Sequence, residues 1–179
     1  EINMGKRKLQ IFIGGISLFL LFFLLTSASA KTPPIKSFDH PKLVDTGELA
    51  GLVDHPSIRI VDMRSSLLDY LKGHLPNAVY LHFENLRVPR NGIPAQAADR
   101  ISLEKLIGDY LCVSNDMWVI LYSEKSNPNA TLLLWVFDFL GHKKVGVLNG
   151  GWEKWVSENH PTTQTYPSLQ PKRFSGGIG

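Results

Sequence analysis

Four short apolar runs constrain this chain more than anything else in it: Ile58-Arg59-Ile60-Val61-Asp62, Ala78-Val79-Tyr80-Leu81, Trp118-Val119-Ile120-Leu121-Tyr122 and Val145-Gly146-Val147-Leu148. Their apolarity is nearly continuous rather than alternating, the mark of strands covered on both faces. Between them lie stretches of helical character, Ser65 to Lys72, Ser102 to Leu111, Ala130 to Leu140 and Trp152 to Glu158. Asp45-Thr46-Gly47-Glu48 offers an N-cap oxygen with Glu three residues on, which opens a short helix through Val53. Strands alternating with helices of this length predict an α/β fold of three layers, a central, mostly parallel sheet with helices on both faces. Ligands of such sheets gather at loops leaving the carboxyl ends of the strands, so the loop after Tyr122 is the expected site.

The 179 residues, 44% of them hydrophobic, suffice for one ordinary domain and an appendage. That appendage is residues 1–30. Basic Gly5-Lys6-Arg7-Lys8 precedes an uncharged apolar run from Leu9 to Leu25, and small Ala28 and Ala30 follow, which predicts a signal peptide cleaved before Lys31. The alternative is an uncleaved membrane anchor, since a run of about 17 apolar residues is at the lower edge of what spans a bilayer. Either reading sends the body out of the cytoplasm, to the periplasm or the extracellular space, with membrane contact only if the segment stays attached. Glu1-Ile2-Asn3 stands ahead of Met4, the natural start of such a signal.

Without residues 1–30, Lys plus Arg falls from 19 to 16 and Asp plus Glu from 16 to 15, so a net charge of +3 becomes +1 and argues against a nucleic-acid partner. One cysteine, Cys112, excludes an internal disulfide; at a helix end it reads as a small apolar side chain. Proline-rich residues 31–42 read as a linker, 43–165 as the domain, and 166–179 as the start of a linker to a further domain, cut short.

Three separated motifs then fall into register. Val61-Asp62-Met63-Arg64, followed by Tyr70 and Gly73-His74-Leu75-Pro76-Asn77-Ala78, resembles the rhodanese pattern of a strand ending in Asp-x-Arg before a Gly-His-Ile-Pro-Gly-Ala turn. Gly141-His142 and then Val147-Leu148-Asn149-Gly150-Gly151-Trp152 with Trp155 resembles the family's closing Gly-Gly-Trp motif. The long segment between Leu81 and Trp118, with Ile93-Pro94, and the tail His160-Pro161-Thr162-Thr163 are similar to the first domain of tandem thiosulfate and 3-mercaptopyruvate sulfurtransferases. This resemblance implies a rhodanese-like three-layer fold and a partner, a second rhodanese domain that carries the nucleophile and meets the small sulfur donors. It implies no cofactor.

In the active form of the family a Cys follows the central strand, and loop amides beneath a helix N-terminus stabilise its thiolate and persulfide. Here that position is Ser123, whose oxygen cannot hold a transferable sulfane sulfur, so the resemblance leaves this chain without a catalytic residue of its own. The remaining site loop, Glu124, Lys125, Ser126, Asn127, Pro128, departs further: Glu124 brings a carboxylate, Pro128 lacks an amide hydrogen, and Leu132 stands where tandem first domains carry an Arg. The function expected is a non-catalytic first half of an exported sulfurtransferase; the alternative is a complete pseudoenzyme that binds a partner.

Asp62 and Arg64 could orient the site loop or simply tie a strand end to the next turn; His74 could shuttle protons or bond backbone. Gly150 and Gly151 suit a tight turn into a helix, and Trp152 and Trp155, spaced i and i+3, are expected in the core. His55, His82 and His160 lack the spacing and acidic company of a metal site, so no metal is expected.

Overall fold

A computed structural model describes residues 32–35, 38 and 42–177 of the chain. The export-segment reading of residues 1–30 lies outside them. Strands β1 (Leu43–Val44), β2 (Ile58–Asp62), β3 (Ala78–Tyr80), β6 (Trp118–Tyr122) and β7 (Val145–Leu148) form one sheet in the order β1-β7-β6-β2-β3. Every pairing within it is parallel. The expected three-layer α/β fold is therefore the one observed, and the four apolar runs are its four longer parallel strands apart from the last residue of the second.

Side chains alternate across the sheet even though the strands are apolar throughout. Ile58 and Ile60 of β2 join Trp118, Ile120, Leu148 and Trp155 on one side. Helices α1 (Thr46–Ala50) and α5 (Gly151–Ser157) cover that face through Leu49 and Trp155. Val61 and Met63 point the other way, into a core with Leu103, Ile107, Leu133 and Phe137, covered by α3 (Arg100–Lys105), the π-helical turn Leu106–Tyr110 that continues it, and α4 (Asn129–Phe139).

Helix α2 (Leu67–Lys72) starts where the Ser66 side chain accepts the Asp69 amide hydrogen at 3.2 Å, a serviceable N-cap. The segment before α3 holds an antiparallel hairpin, β4 (Arg87–Arg90) and β5 (Ile93–Ala97), closed by Asn91 and Gly92 at positive φ of 52° and 76°. Residues 166–177, read from sequence as the beginning of a linker, lie along the fold. Phe174 is buried against Phe137 and His142, and the Lys172 and Gly177 amides donate to the carbonyls of Gly108 and Leu140.

The sheet order places the site. From β2 the chain winds outward to β3, whereas from β6 it winds the opposite way to β7, so the topological switch falls between β2 and β6. Asp62 and Tyr122, the last residues of those strands, are direct neighbours in the register.

Candidate functional site

At the switch point Asp62 is fully buried, and its charge is met from three directions. Arg64 Nε lies 3.1 and 3.0 Å from the two carboxylate oxygens and its Nη2 2.7 Å from Oδ2, a forked contact. The Arg64 amide donates to Oδ1 at 2.9 Å and the Tyr122 hydroxyl donates to Oδ2. Arg64 Nη2 also donates to the Gly73 carbonyl at 2.7 Å. The pair thus ties the end of β2 to the turn after α2. Burial opposes the guanidinium's charge, but the hydrogen bond and charge of Asp62 outweigh it and raise its proton affinity. Burial, reinforced by the Asp62 carboxylate, pushes the Tyr122 phenol well above its usual range.

The other face of the guanidinium lies 4.1 Å from the Trp152 ring centroid. Sequence placed both tryptophans of α5 in the core. Trp155 is there, fully buried with its Nε1 donating to the Pro161 carbonyl at 2.8 Å, whereas Trp152 is only partly covered and roofs Arg64. Its departure follows from the turn before it: Gly150 and Gly151 have φ of 77° and 58°, and the Trp152 amide donates to Ser123 O at 3.1 Å. A Cβ on Gly151 would sit 2.4 Å from that same oxygen, so backbone meets backbone where a side chain has no room.

Ser123 is buried at the tip of β6, and its Oγ donates to the Asn127 carbonyl at 2.9 Å. The loop beyond closes on itself. Glu124 accepts from Ser65 Oγ at 2.8 Å, the Ser65 amide at 3.3 Å and Asn127 Nδ2 at 2.7 Å. Burial would push the Glu124 carboxyl up, but hydrogen bonds from its own amide, Ser65 and Asn127 prevail and hold it below the usual range. The Lys125 amide donates to Glu153 Oε2 at 2.8 Å, the Asn127 amide to Glu124 O at 3.2 Å, and the Asn129 amide to Asn127 Oδ1 at 2.8 Å. Ser126 takes a left-handed φ of 63° to complete the turn. Leu132, on α4, is partly buried against the core.

A cleft of about 320 Å³ opens between this loop and α2, lined by Arg64, Asp69, Lys72, Glu124, Trp152 and Glu153 among others. It has three carboxylates for two cations. His74 is fully buried away from it, its ring nitrogens 3.0 Å from Tyr70 O and 3.2 Å from Thr165 O and its ring stacked on Tyr70 at 3.9 Å. Ser123, Glu124, Lys125, Ser126, Asn127, Asp62, Arg64, Gly151 and Trp152 are brought together; His74 serves the neighbouring turn. Ser65, Tyr122 and Glu153 belong to the site without having been singled out. Only Tyr122 carried a signal, a hydroxyl at the carboxyl end of a buried strand.

These features define a class: a parallel-sheet α/β domain whose cleft lies at the switch point, framed by an Asp-x-Arg strand end, a strand-to-helix loop and a Gly-Gly-Trp turn. A rhodanese-like domain family model matches residues 45–158. The chain is 34% identical over 140 residues to the sulfur carrier protein TtuD of Thermus thermophilus, covering 76% of this chain and 47% of that protein. It is 33% identical over 141 residues to the putative thiosulfate sulfurtransferase SseA of Mycobacterium tuberculosis, covering 76% and 46%. The crystal structure of SseA from Escherichia coli, described as a 3-mercaptopyruvate sulfotransferase with the rhodanese fold, matches with a TM-score of 0.67 at 24% identity, over 78% of this chain and 56% of that one. The chain belongs to the rhodanese-like family and has sulfurtransferase homologues. It spans about half the length of the curated relatives it matches.

Proposed function

We propose that this chain is the non-catalytic amino-terminal rhodanese domain of an exported sulfurtransferase, one that moves sulfane sulfur from thiosulfate or 3-mercaptopyruvate to a thiophilic acceptor. The observation that carries this reading is Ser123 at the tip of β6, its hydroxyl bonded to the Asn127 carbonyl while carboxylates of Glu124 and Glu153 occupy donors around the loop. A sulfur relay needs a thiolate, and an anionic donor needs open N–H groups. This loop supplies neither a sulfur nor an unopposed positive field, so its role is to wall a cleft whose nucleophile belongs to a second rhodanese domain.

The test is a thiosulfate-to-cyanide assay on this chain, with Cys112→Ser beside it. Background rates from both are expected; turnover in either overturns the reading. The tandem arrangement predicts coding sequence for a second domain with a loop Cys downstream of Gly179, and an immediate stop codon contradicts it. Export predicts recovery of the body outside the cytoplasm in fractionated cells, and retention inside refutes that part alone.

A further inference from the structure

The opposite end of the sheet holds an arginine that no role in the switch-point cleft explains. Arg59, second residue of β2, is 5% exposed. Among the described residues its buried Nε has no hydrogen-bond partner, and its Nη2 reaches only the Cys112 carbonyl, at 3.4 Å. Among the described residues no carboxylate lies within ion-pair distance of it. Desolvation lowers its proton affinity, the nearby Cys112 sulfur only partly opposing this. That thiol faces the carbonyls of Asp109 and Tyr110 at 3.6 Å. A guanidinium remains charged under all ordinary conditions, so a buried one without a counter-charge is costly to keep unless something supplies the anion.

Arg59 lines a cleft of about 290 Å³ between the start of β2 and the tail around Leu169. The walls are partly apolar, through Val53, Pro56, Ile58 and Leu169. Lys172 adds a second cation and Asp54 one carboxylate, which holds Asn77 Nδ2 at 2.8 Å. His55 is already engaged: its Nδ1 accepts from the Ser57 amide at 3.1 Å and its Nε2 lies 3.1 Å from Pro33 O.

We propose that this cleft binds a small organic acid whose single carboxylate pairs with the Arg59 guanidinium, with its short apolar body against Ile58 and Leu169. A planar fork suits a carboxylate's two oxygens, and the residual charge of two cations against Asp54 matches one negative charge, whereas a dianion would confront Asp54. The volume, about 290 Å³, lies just below the range of about 300–1,000 Å³ typical of ligand pockets, which suits a small molecule.

The test is nitrogen-edited NMR on the full chain, following the Arg59 Nε–Hε resonance, with propionate as the probe. A saturable downfield shift is expected with propionate and none with propionamide. Lys172→Ala, at an exposed residue, should weaken the response several-fold, and Cys112→Ser should leave it intact. An unmoved resonance, an equal response to propionamide or sulfate, or loss of the response in Cys112→Ser overturns the proposal. None of these readouts depends on sulfur transfer, so the assignment stands or falls apart from the reading of the Ser123 loop.

Discussion

The carboxylate of Glu153, in the first turn of α5, accepts the amide hydrogen of Lys125 at 2.8 Å, across 28 positions of sequence. One helix thereby occupies a donor of the loop that another helix, α4, would otherwise share with an incoming anion. With Glu124 bonded to Ser65 and Asn127, the loop carries two carboxylates where the family's chemistry calls for a positive field.

Placing sulfur at the strand tip is therefore not enough. Ser123→Cys is expected to yield a sluggish thiol, because both carboxylates disfavour its thiolate. Adding Glu124→Gln and Glu153→Gln should speed alkylation by iodoacetamide at neutral pH by roughly tenfold, the equivalent of about one pKa unit. Equal rates in the single and triple variants would show that the carboxylates do not control the loop.

The Gly-Gly turn predicts a costly pair of variants. At positive φ, Gly151→Ala puts a Cβ 2.4 Å from Ser123 O, and Gly150→Ala puts one 2.5 Å from the backbone-anchored Cβ of Lys154. Positive φ alone costs an alanine about 1–2 kcal/mol, so urea unfolding should show both variants destabilised by more than that, because each also meets a fixed atom. Losses no larger than the backbone cost would refute the close approaches.

The Asp62–Arg64 pair predicts a large loss when one partner goes. Arg64→Met leaves a buried carboxylate with the Tyr122 hydroxyl as its remaining side-chain donor and should cost about 3–5 kcal/mol in urea unfolding. Trp152→Leu removes the roof over the guanidinium and trims a half-buried core contact, and should cost about 1–2 kcal/mol. Similar losses in the two variants would contradict this ranking.

Burial lowers the proton affinity of His142 below its ordinary value of 6.5, and its ring packs against Phe137 and Phe174. The unfolded chain therefore binds this proton first as pH falls. The stability contribution is present above about 6.5 and is lost as pH drops toward the folded-state value. The carboxylates with lowered values titrate from 4.5 or 3.8 downward, so a window from pH 7.5 to 5.5 separates this histidine from them, and the His142→Gln variant separates it from the other histidines. The urea midpoint should fall across that window in the native sequence and stay nearly flat in His142→Gln; parallel declines would refute the assignment.

Much of the sheet was legible because buried parallel strands read as continuous apolar runs, and β2, β6 and β7 have the bounds those runs suggest. Two-residue β1 is too short to leave a pattern, and the hairpin strands β4 and β5 are mostly exposed, so burial writes no periodicity into them. Asn91-Gly92 was the available signal for that hairpin, an Asn-Gly pair suited to a tight two-residue turn. In the site, the residue at the strand tip and the Asp-x-Arg end could be named from one dimension. Contacts such as Lys125 with Glu153, Ser65 with Glu124, and Trp152 over Arg64 join separate loops and depend on how the turn at Gly151 aims α5.

Whether the Ser123 loop can carry sulfur is tested most directly by intact-mass spectrometry of the chain after incubation with thiosulfate, with peptide mapping of any adduct. An unmodified mass is expected, with no sulfur at residues 123–129. A mass gain of one sulfur atom that maps to this loop and is discharged by cyanide would contradict it.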